Sequence, residues 1–248
     1  MLTAVVLTHN EEKHLPACLA SLSWAPDVMV FDSFSTDSTV ALARAAGARV
    51  EQRAFDHYAG QRQAALQAAS AEWVLFVDAD ERVTPALAAE IGSVTGRPEP
   101  GWWIPRDNFI FGRLTRHAGW YPDYQLRLLR PILAHYDPQR PVHELVLLDS
   151  PTAPGHLVAP LIHLNYETVS EFIAKQRDYA RYDAGQLLVE GVRTRPQNYI
   201  LQPLRQFWWR WITLEGWRDG GHGLRLSLLM AYFEWQKYRQ LRRLERPI

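Results

Sequence analysis

Four short strand-like segments in the first 80 residues each end in polar residues and precede a segment with helical periodicity, and all but the third are largely apolar. They cover residues Leu2–Thr8, Asp27–Asp32, 48–52 and 73–77. Continuous apolar runs of this length predict strands that are buried on both faces of a sheet. Strands that alternate with helices predict right-handed βαβ units, so we expect a doubly wound α/β sheet with parallel strands here.

The helices predicted between and after these strands cover residues 13–22, 40–46, 60–69 and Pro85–Val94. Thr84 and Pro85 supply an N-cap and an N1 proline for the last of them. The two aspartates that precede this helix, Asp78 and Asp80, are therefore not needed as caps.

The pattern changes after Val94, where prolines and glycines interrupt the alternation. Residues 102–113 form an extended aromatic segment, and residues 124–130, 144–148 and 160–166 are strand-like, which predicts an antiparallel or mixed half of the sheet. Helical periodicity then covers residues 171–190, 196–214 and 224–244, with a break at 217–223. We expect three regions, with boundaries at 1–95, 96–190 and 191–248.

The C-terminal region differs from the rest in charge and aromatic content. Residues 193–248 hold 11 Arg and Lys against 4 Asp and Glu, a balance of about +7, while residues 1–192 hold 16 against 23, about −7. Five of the ten tryptophans also lie there. Tryptophan and arginine together are typical of a bilayer interface. Helices that pack on the core or on a second subunit are the alternative, so a homo-oligomer stays open.

Other partners and compartments are less well supported by composition. The C-terminal helices are rich in Trp and Leu and lack the polar surface that a nucleic acid would contact, so we expect no nucleic acid partner. The single cysteine, Cys18, allows no intramolecular disulfide, and its expected role is helix packing. We expect no signal peptide and no membrane-spanning helix.

Asp78 and Asp80 are the main candidates for chemistry. They follow the apolar run 73–77 directly, and ligands of open α/β sheets bind at the carboxyl ends of the strands. Two acids at this spacing can both turn towards one hard cation and the phosphates that it carries. Residues 32–39 form a second candidate, a loop rich in hydroxyls and acids that opens a helix. Arg62, in the first turn of a predicted helix, suggests an anionic ligand, although an exposed arginine explains its position equally well.

Three motifs together resemble the family 2 glycosyltransferases, which have the GT-A fold, a Rossmann-like doubly wound mixed sheet. They are Thr8-His9-Asn10-Glu11, the loop 32–39 and Asp78-Ala79-Asp80. Residues 121–128, 142–144 and 163–166, with the Trp- and Arg-rich helical extension, resemble the bacterial glycosyltransferases of lipopolysaccharide core assembly. On this resemblance, region 1–95 binds a nucleotide sugar and region 96–190 binds the acceptor.

The resemblance also implies roles for individual residues. The donor nucleotide would be lined by Thr8, Asn10, Glu11, Asp32, Arg62 and Asp78. Asp80 would bind a divalent cation, Mn²⁺ or Mg²⁺, that bridges the diphosphate and lets it depart. His163 is a candidate for a further metal ligand or phosphate donor, although a histidine within an apolar run is more often a core residue.

Family members invert the anomeric configuration, which implies one in-line displacement and a carboxylate that removes the acceptor proton. Glu144 is the first candidate for this base and Asp123 the second. His143-Glu144 departs from the paired acids of relatives, and Glu144 at an ordinary strand edge is the alternative. Trp102, Trp103, Trp120 and Tyr121 could stack on acceptor sugars or belong to the core.

The sequence thus predicts a metal-dependent, inverting transferase that moves a hexose from a UDP-linked donor to a glycolipid or oligosaccharide at the cytoplasmic face of a membrane. One alternative is a catalytically silent, membrane-tethered protein that binds sugar nucleotides. Another is a phosphatase with an Asp-x-Asp motif, a class in which that motif opens the chain and does not follow three strand-helix units.

Overall fold

The structure is a computed structural model that describes residues 1–137 and 145–245. Its described strands are β1 (Leu2–Thr8), β2 (Asp27–Asp32), β3 (Arg49–Gln52), β4 (Trp73–Asp78), β5 (Glu81–Val83), β6 (Gly101–Ile110), β7 (Arg113–Thr115), β8 (Asp123–Leu129), β9 (Ala134–Tyr136), β10 (Val146–Leu148), β11 (Gly155–His156) and β12 (Leu161–Tyr166). Its described α-helices are α1 (Leu15–Ser21), α2 (Thr39–Ala45), α3 (Tyr58–Ala68), α4 (Pro85–Val94), α5 (Val169–Val189), α6 (Asn198–Trp208) and α7 (Gly220–Leu244).

The chain divides into two compact units. Unit 1 comprises Met1–Arg106 and Asp123–His163. Unit 2 comprises Asp107–Pro122 and the residues from Leu164 onwards.

The parallel half of the sheet lies in unit 1 and follows the order β3-β2-β1-β4. Every neighbouring pair in this set is parallel, which confirms the predicted α/β sheet. The register pairs Thr8 of β1 with Asp32 of β2, and Leu7 of β1 with Asp78 of β4. Three predicted donor-site residues therefore end their strands at the same edge of the sheet.

Antiparallel strands extend this sheet, so it is mixed, as predicted. β8 pairs with β4 and β6 pairs with β8, both antiparallel. β12 pairs with β5, and this register places His163 opposite Glu81.

The sheet of unit 1 is covered on both faces because side chains alternate along each strand. Val6 and Leu75 face the cluster that holds Cys18 of α1. Val5 and Phe76 face the cluster that holds α3. Cys18 is fully buried, as its predicted packing role requires. The alternation of side chains therefore packs the sheet on both faces, and the acids at the end of β4 extend from this packed sheet.

Unit 2 contains the C-terminal helices, which confirms the predicted helical extension. Its main core is aromatic and includes Tyr166, Phe172 and Phe233, with Ile110 at the end of β6 and Leu226 from α7. α7 packs against both α5 and α6.

The predicted helix 196–214 and break 217–223 are only partly correct. α6 ends at Trp208 and continues as a π-helical turn, Trp209–Thr213. A short 3₁₀ turn, Gly216–Asp219, follows, and α7 already begins at Gly220. The glycines that predicted a break instead lie inside the first turn of α7. Gly223 permits close backbone packing there, because a Cβ at this position would overlap the carbonyl oxygen of Gly216, whereas a Cβ at Gly220 or Gly221 would meet no atom within 4 Å.

None of the helices in the described ranges is long and apolar enough to cross a membrane.

Candidate active site

Asp78, the last residue of β4, is held by two arginines. Arg62 Nη2 donates to Asp78 Oδ1 at 2.8 Å. Arg127 of β8 donates to both oxygens of the carboxylate, with Nη1 3.2 Å from Oδ1. Both guanidinium groups are almost fully buried. Arg62 is thus not an exposed arginine, and the charge that it meets inside the protein is Asp78.

The same network continues through Glu81, which is completely buried. Glu81 Oε2 accepts a hydrogen bond from the backbone N–H of Asp78 at 2.9 Å. Its Oε1 lies 3.4 Å from Arg127 Nη2 and 3.3 Å from Arg106 Nη1. Arg106 also donates to Asp123 Oδ2 from Nε at 2.9 Å and from Nη2 at 2.6 Å. Three arginines and three carboxylates therefore alternate in one connected network.

The opposite charges in this network favour the ionised form of each partner. Burial alone would raise the pKa of Asp78, but the charges of Arg127 and Arg62 outweigh it and hold that pKa well below its usual range. Burial would likewise lower the pKa of Arg127, and the negative charges of Asp78 and Glu81 instead raise it above its usual value. Both groups are therefore ionised at neutral pH, and the end of β4 is fixed electrostatically.

Asp80 lies outside this network and faces His163 of β12. Its Oδ2 is 3.4 Å from His163 Nε2. The histidine is buried, whereas the carboxylate is partly exposed. His163 is thus a buried residue of a strand that borders the motif, and its role as a metal ligand stays a prediction.

A carboxylate and an imidazole at this distance form a donor set that suits Mn²⁺. Among the described residues, no group of three or more His, Cys, Asp or Glu is placed to hold a metal ion. Two protein ligands do fit a cation that takes its other ligands from substrate phosphates and water.

The predicted nucleotide pocket begins with a buried pair at the ends of β1 and β2. Thr8 Oγ1 donates to Asp32 Oδ1 at 2.9 Å. Asp32 also accepts from Gln52 and from the backbone and hydroxyl of Ser35. Burial would raise the pKa of Asp32, but the hydrogen bonds from Ser35, Gln52 and Thr8 lower it below its usual value. This carboxylate is ionised and anchors the loop.

Asn10 and Glu11 join the same loop from the end of β1. Asn10 Oδ1 accepts from the backbone N–H of Thr36 at 2.8 Å, and the backbone N–H of Glu11 donates to Thr39 Oγ1 at 2.8 Å. The structure therefore brings Thr8, Asn10, Glu11 and Asp32 together. The backbone N–H groups of residues 35, 36, 38 and 39 all donate to side chains, so they hold the loop together.

The structure describes only one of the two candidates for the catalytic base. Glu144 lies outside the described residues, as does the start of the predicted strand 144–148. Asp123 is the first residue of β8, where Arg106 binds one oxygen and Gln125 Nε2 donates to the other at 2.8 Å.

A cavity of about 370 Å³ opens beside the network in unit 1. Its wall includes Arg62, Arg106 and Arg127 together with the aromatic rings of Trp103 and Tyr136. Small-molecule sites have volumes of about 300–1,000 Å³, so the cavity is large enough for part of a ligand. Of the four aromatic residues proposed to contact sugars, Trp103 lines this cavity and Trp102 is buried in the core. Trp120 packs on the aromatic core of unit 2, and Tyr121 is exposed.

Sequence reasoning missed Glu81, Arg106 and Arg127. Their local sequence context does not indicate a shared site. Glu81 directly follows the motif, and the two arginines occupy polar positions of predicted strands. The available signal was the excess of acids at the end of β4. Three carboxylates within four residues need more positive charge than one cation supplies.

Comparison with known proteins identifies the family of this arrangement. The sequence model of glycosyl transferase family 2 matches residues 3–91. The lipopolysaccharide core biosynthesis glycosyltransferase LpsC of Rhizobium meliloti is 30% identical over 234 residues, which cover 90% of this chain and 84% of LpsC. An uncharacterised glycosyltransferase of Rickettsia conorii is 31% identical over 141 residues, which cover 56% of this chain and 43% of that relative.

A solved structure gives the same result for the fold. The crystal structure of S. aureus TarS 1-349 in complex with UDP superimposes with a TM-score of 0.50 at 16% identity, and the match covers 96% of this chain and 91% of that one. This similarity confirms the predicted GT-A fold. The motifs, the fold and the match over nearly the whole chain agree, and the protein belongs to the family 2 glycosyltransferases.

Proposed function

We propose that the protein is a metal-dependent, inverting hexosyltransferase that uses a UDP-linked donor. The observation that carries this proposal is the division of roles between the two motif aspartates, because arginines hold Asp78 while Asp80 stays outside the arginine network beside His163. Membership of the family removes the phosphatase alternative.

The donor would bind at the edge where β1, β2 and β4 end. Thr8, Asn10, Glu11 and Asp32 would surround the base and ribose, with Asp78 towards the ribose. UDP is the nucleotide in the TarS complex, which supports a uridine donor. Arg62, which already lies against Asp78, would be within reach of the base or diphosphate.

Asp80 and His163 would hold Mn²⁺ or Mg²⁺. The cation supplies positive charge where the diphosphate develops negative charge as the sugar leaves. The ion pairs of Asp78 and Glu81 keep the strand end fixed, so Asp80 needs little rearrangement to serve as a ligand.

The acceptor hydroxyl would lose its proton to Glu144, with Asp123 as second choice. Asp123 accepts three hydrogen bonds from Arg106 and Gln125, so fewer of its lone pairs are available for a proton. The LpsC name supports an acceptor of the lipopolysaccharide core, either a glycolipid or a saccharide. We place the reaction at the cytoplasmic face of the cell membrane, to which the region 191–248 would attach the protein.

A screen of nucleotide sugars with the full chain tests the proposal. Thermal unfolding is measured with UDP-, GDP- and ADP-hexoses, each with Mn²⁺ and with a chelator, and release of the nucleotide is then followed with a labelled donor. A ligand at a hundred times its Kd stabilises the folded state by about 2.7 kcal/mol, so a genuine donor should raise the melting temperature clearly.

We expect stabilisation by UDP-hexoses that depends on the metal, together with slow release of UDP. Stabilisation without any release or transfer would identify the silent binding protein instead. Equal stabilisation in the chelator would contradict the metal site.

A further inference from the structure

Helix α6 exposes its apolar side chains. It buries none of its eleven residues. The exposed fractions are 64% for Ile200, 59% for Leu201, 60% for Leu204 and 63% for Trp208. Residues 200, 204 and 208 are spaced by four, and residue 201 lies beside them, so the four share one side of the helix. We call these four residues the α6 face.

The less exposed side of the same helix is mixed in polarity. It carries Tyr199, Pro203 and Phe207 beside Gln202 and Gln206, all partly buried, and α6 packs against α7. A surface helix of a globular protein normally turns its apolar stripe towards the core, whereas α6 exposes a second apolar side as well. The α6 face therefore lacks the apolar environment that its composition calls for.

Further large apolar side chains are exposed beyond the end of α6. Trp209 and Ile212 of the π-helical turn are exposed, as is Trp217 in the 3₁₀ turn that follows. Tryptophan rings are amphipathic and favour the boundary between lipid chains and water.

The segment that contains α6 carries charge of one sign. Residues 191–214 contain four arginines and no acidic residue. Of these arginines, Arg193, Arg195 and Arg205 are exposed, and Arg205 adjoins Leu204 on α6. An exposed apolar helical face in an arginine-rich segment is complementary to a surface that combines apolar chains with negative headgroups.

We infer that α6 lies in the headgroup layer of an anionic bilayer, with the α6 face towards the acyl chains. Eleven residues give a helix of about 16 Å, roughly half of the hydrocarbon thickness, so α6 lies in the plane of the membrane and does not span it. The inference rests on the proposed function in one respect, because it names the surface that would bring the enzyme to a lipid-linked acceptor.

A second copy of this chain fits the same face less well. An isologous dimer would place the same patch of each protomer against the other. Arg205, which adjoins Leu204, would then lie in the contact between copies, and residues 191–214 hold no acid to pair with it, whereas anionic lipid supplies the opposite charge.

Co-sedimentation of the full chain with vesicles tests the inference. Vesicles of phosphatidylcholine alone are compared with vesicles that also contain phosphatidylglycerol, at low and at high salt. We expect binding to the anionic vesicles that falls as salt rises. Leu204→Glu and Trp208→Glu should each weaken vesicle binding about tenfold or more, since each places a charge on the face that would lie in the bilayer. Arg205→Gln should weaken it about fivefold.

Ile132→Glu is the matched control, because Ile132 is 90% exposed but lies in unit 1, far along the chain from the C-terminal helices. It should bind vesicles like the parent protein. Circular dichroism of each variant confirms folding, and Leu204→Gln serves if Leu204→Glu does not fold.

Two results would overturn the inference. One is binding that is unchanged in the Leu204 and Trp208 variants. The other is a lipid-free dimer in light scattering that Leu204→Glu dissociates, since the α6 face would then be a contact between copies. Release of UDP in solution without lipid separates the two proposals. If no donor is turned over while the vesicle results are as expected, the proposed function fails and the membrane surface remains.

Discussion

The guanidinium of Arg127 donates hydrogen bonds to both carboxylate oxygens of Asp78, across the antiparallel pair of β8 and β4. This contact joins the first acid of the motif to a residue 49 positions further along the chain. Asp78 is therefore paired with arginine, whereas Asp80 lies outside the arginine network and is the motif acid that we propose to bind the cation.

Arg127→Met should destabilise the protein strongly. The substitution leaves Asp78 with one arginine and removes one of the two that reach Glu81, which is completely buried. Removing one partner of a buried ion pair costs about 3 kcal/mol or more, because the remaining charge is left without its partner. Urea unfolding followed by circular dichroism measures the loss in free energy of unfolding.

Arg181→Met provides the control for this prediction. Arg181 pairs with Asp178 one turn away on α5, and both side chains are exposed. Exposed pairs of this kind contribute about 0.5 kcal/mol or less. Similar losses in the two variants would mean that the Arg127 network does not stabilise the fold.

The pH dependence of stability should reveal the lowered pKa of Asp78. In the unfolded chain an aspartate titrates near pH 3.9, and in the folded protein Asp78 titrates well below its usual range. The stabilisation is therefore complete above the unfolded pKa and is lost as the pH falls through and below it. One such group contributes a slope of up to about 1.4 kcal/mol per pH unit.

Urea midpoints at pH 5, 4 and 3 measure this slope in the parent and in Asp78→Asn. We expect the parent to lose more stability than the variant over this range, although Asp32, whose pKa is also lowered, leaves some slope in both. Parallel curves would show that Asp78 is not ion-paired in solution.

The parallel half of the fold was predictable almost to the residue. β1, β2 and α4 have the predicted bounds. β1 and β2 are largely apolar runs with polar residues at their ends, and Thr84 caps α4 through the N–H of Leu87 as its position suggested. These are local signals, and local signals are what a single sequence displays.

The ion-pair network was not predictable in the same way. Arg127 occupies a polar position in the alternating run 124–130, and alternation shows which residues share a face without showing what covers that face. Here Asp78 and Glu81 cover it. Arg62 shows the same limit, because its poor fit to the helix dipole was visible but its partner, 16 residues away, was not.

Asp80→Asn should abolish metal-dependent turnover of the donor and leave the fold intact. The partly exposed carboxylate lies beside His163 and outside the arginine network, so its loss should change the free energy of unfolding by about 0.5 kcal/mol or less. Loss of a ligand to the catalytic cation should lower kcat/KM by about a hundredfold or more. Steady-state release of UDP across a Mn²⁺ titration measures the effect.

Asp149→Asn is the matched control for Asp80→Asn. Asp149 also faces a histidine, with its Oδ2 3.1 Å from His135 Nδ1, but that pair is exposed to solvent. Its turnover and Mn²⁺ dependence should equal those of the parent. Full activity of Asp80→Asn would show that the catalytic cation does not depend on Asp80.

Cys18 should react with thiol reagents only when the protein unfolds. Its side chain is fully buried, and burial raises the pKa of the thiol to about 12. The thiolate is the reactive form, so very little is present at pH 8. Ellman's reagent should detect one thiol per chain in guanidinium and almost none in buffer. Rapid labelling of the native protein would contradict the packing of α1 on the sheet.

Gly223→Ala should be strongly destabilising, whereas Gly221→Ala should not. Both residues lie in the first turn of α7, but a Cβ at Gly223 would overlap the carbonyl oxygen of Gly216, while a Cβ at Gly221 meets no atom within 4 Å. Because the obstacle is backbone, the helix must move, at a cost of about 1–3 kcal/mol or more. Alanine at an open helical position is instead neutral or stabilising by up to about 1 kcal/mol. Thermal unfolding of the two variants compares them directly, and equal melting temperatures would mean that α7 does not pack closely on the 3₁₀ turn.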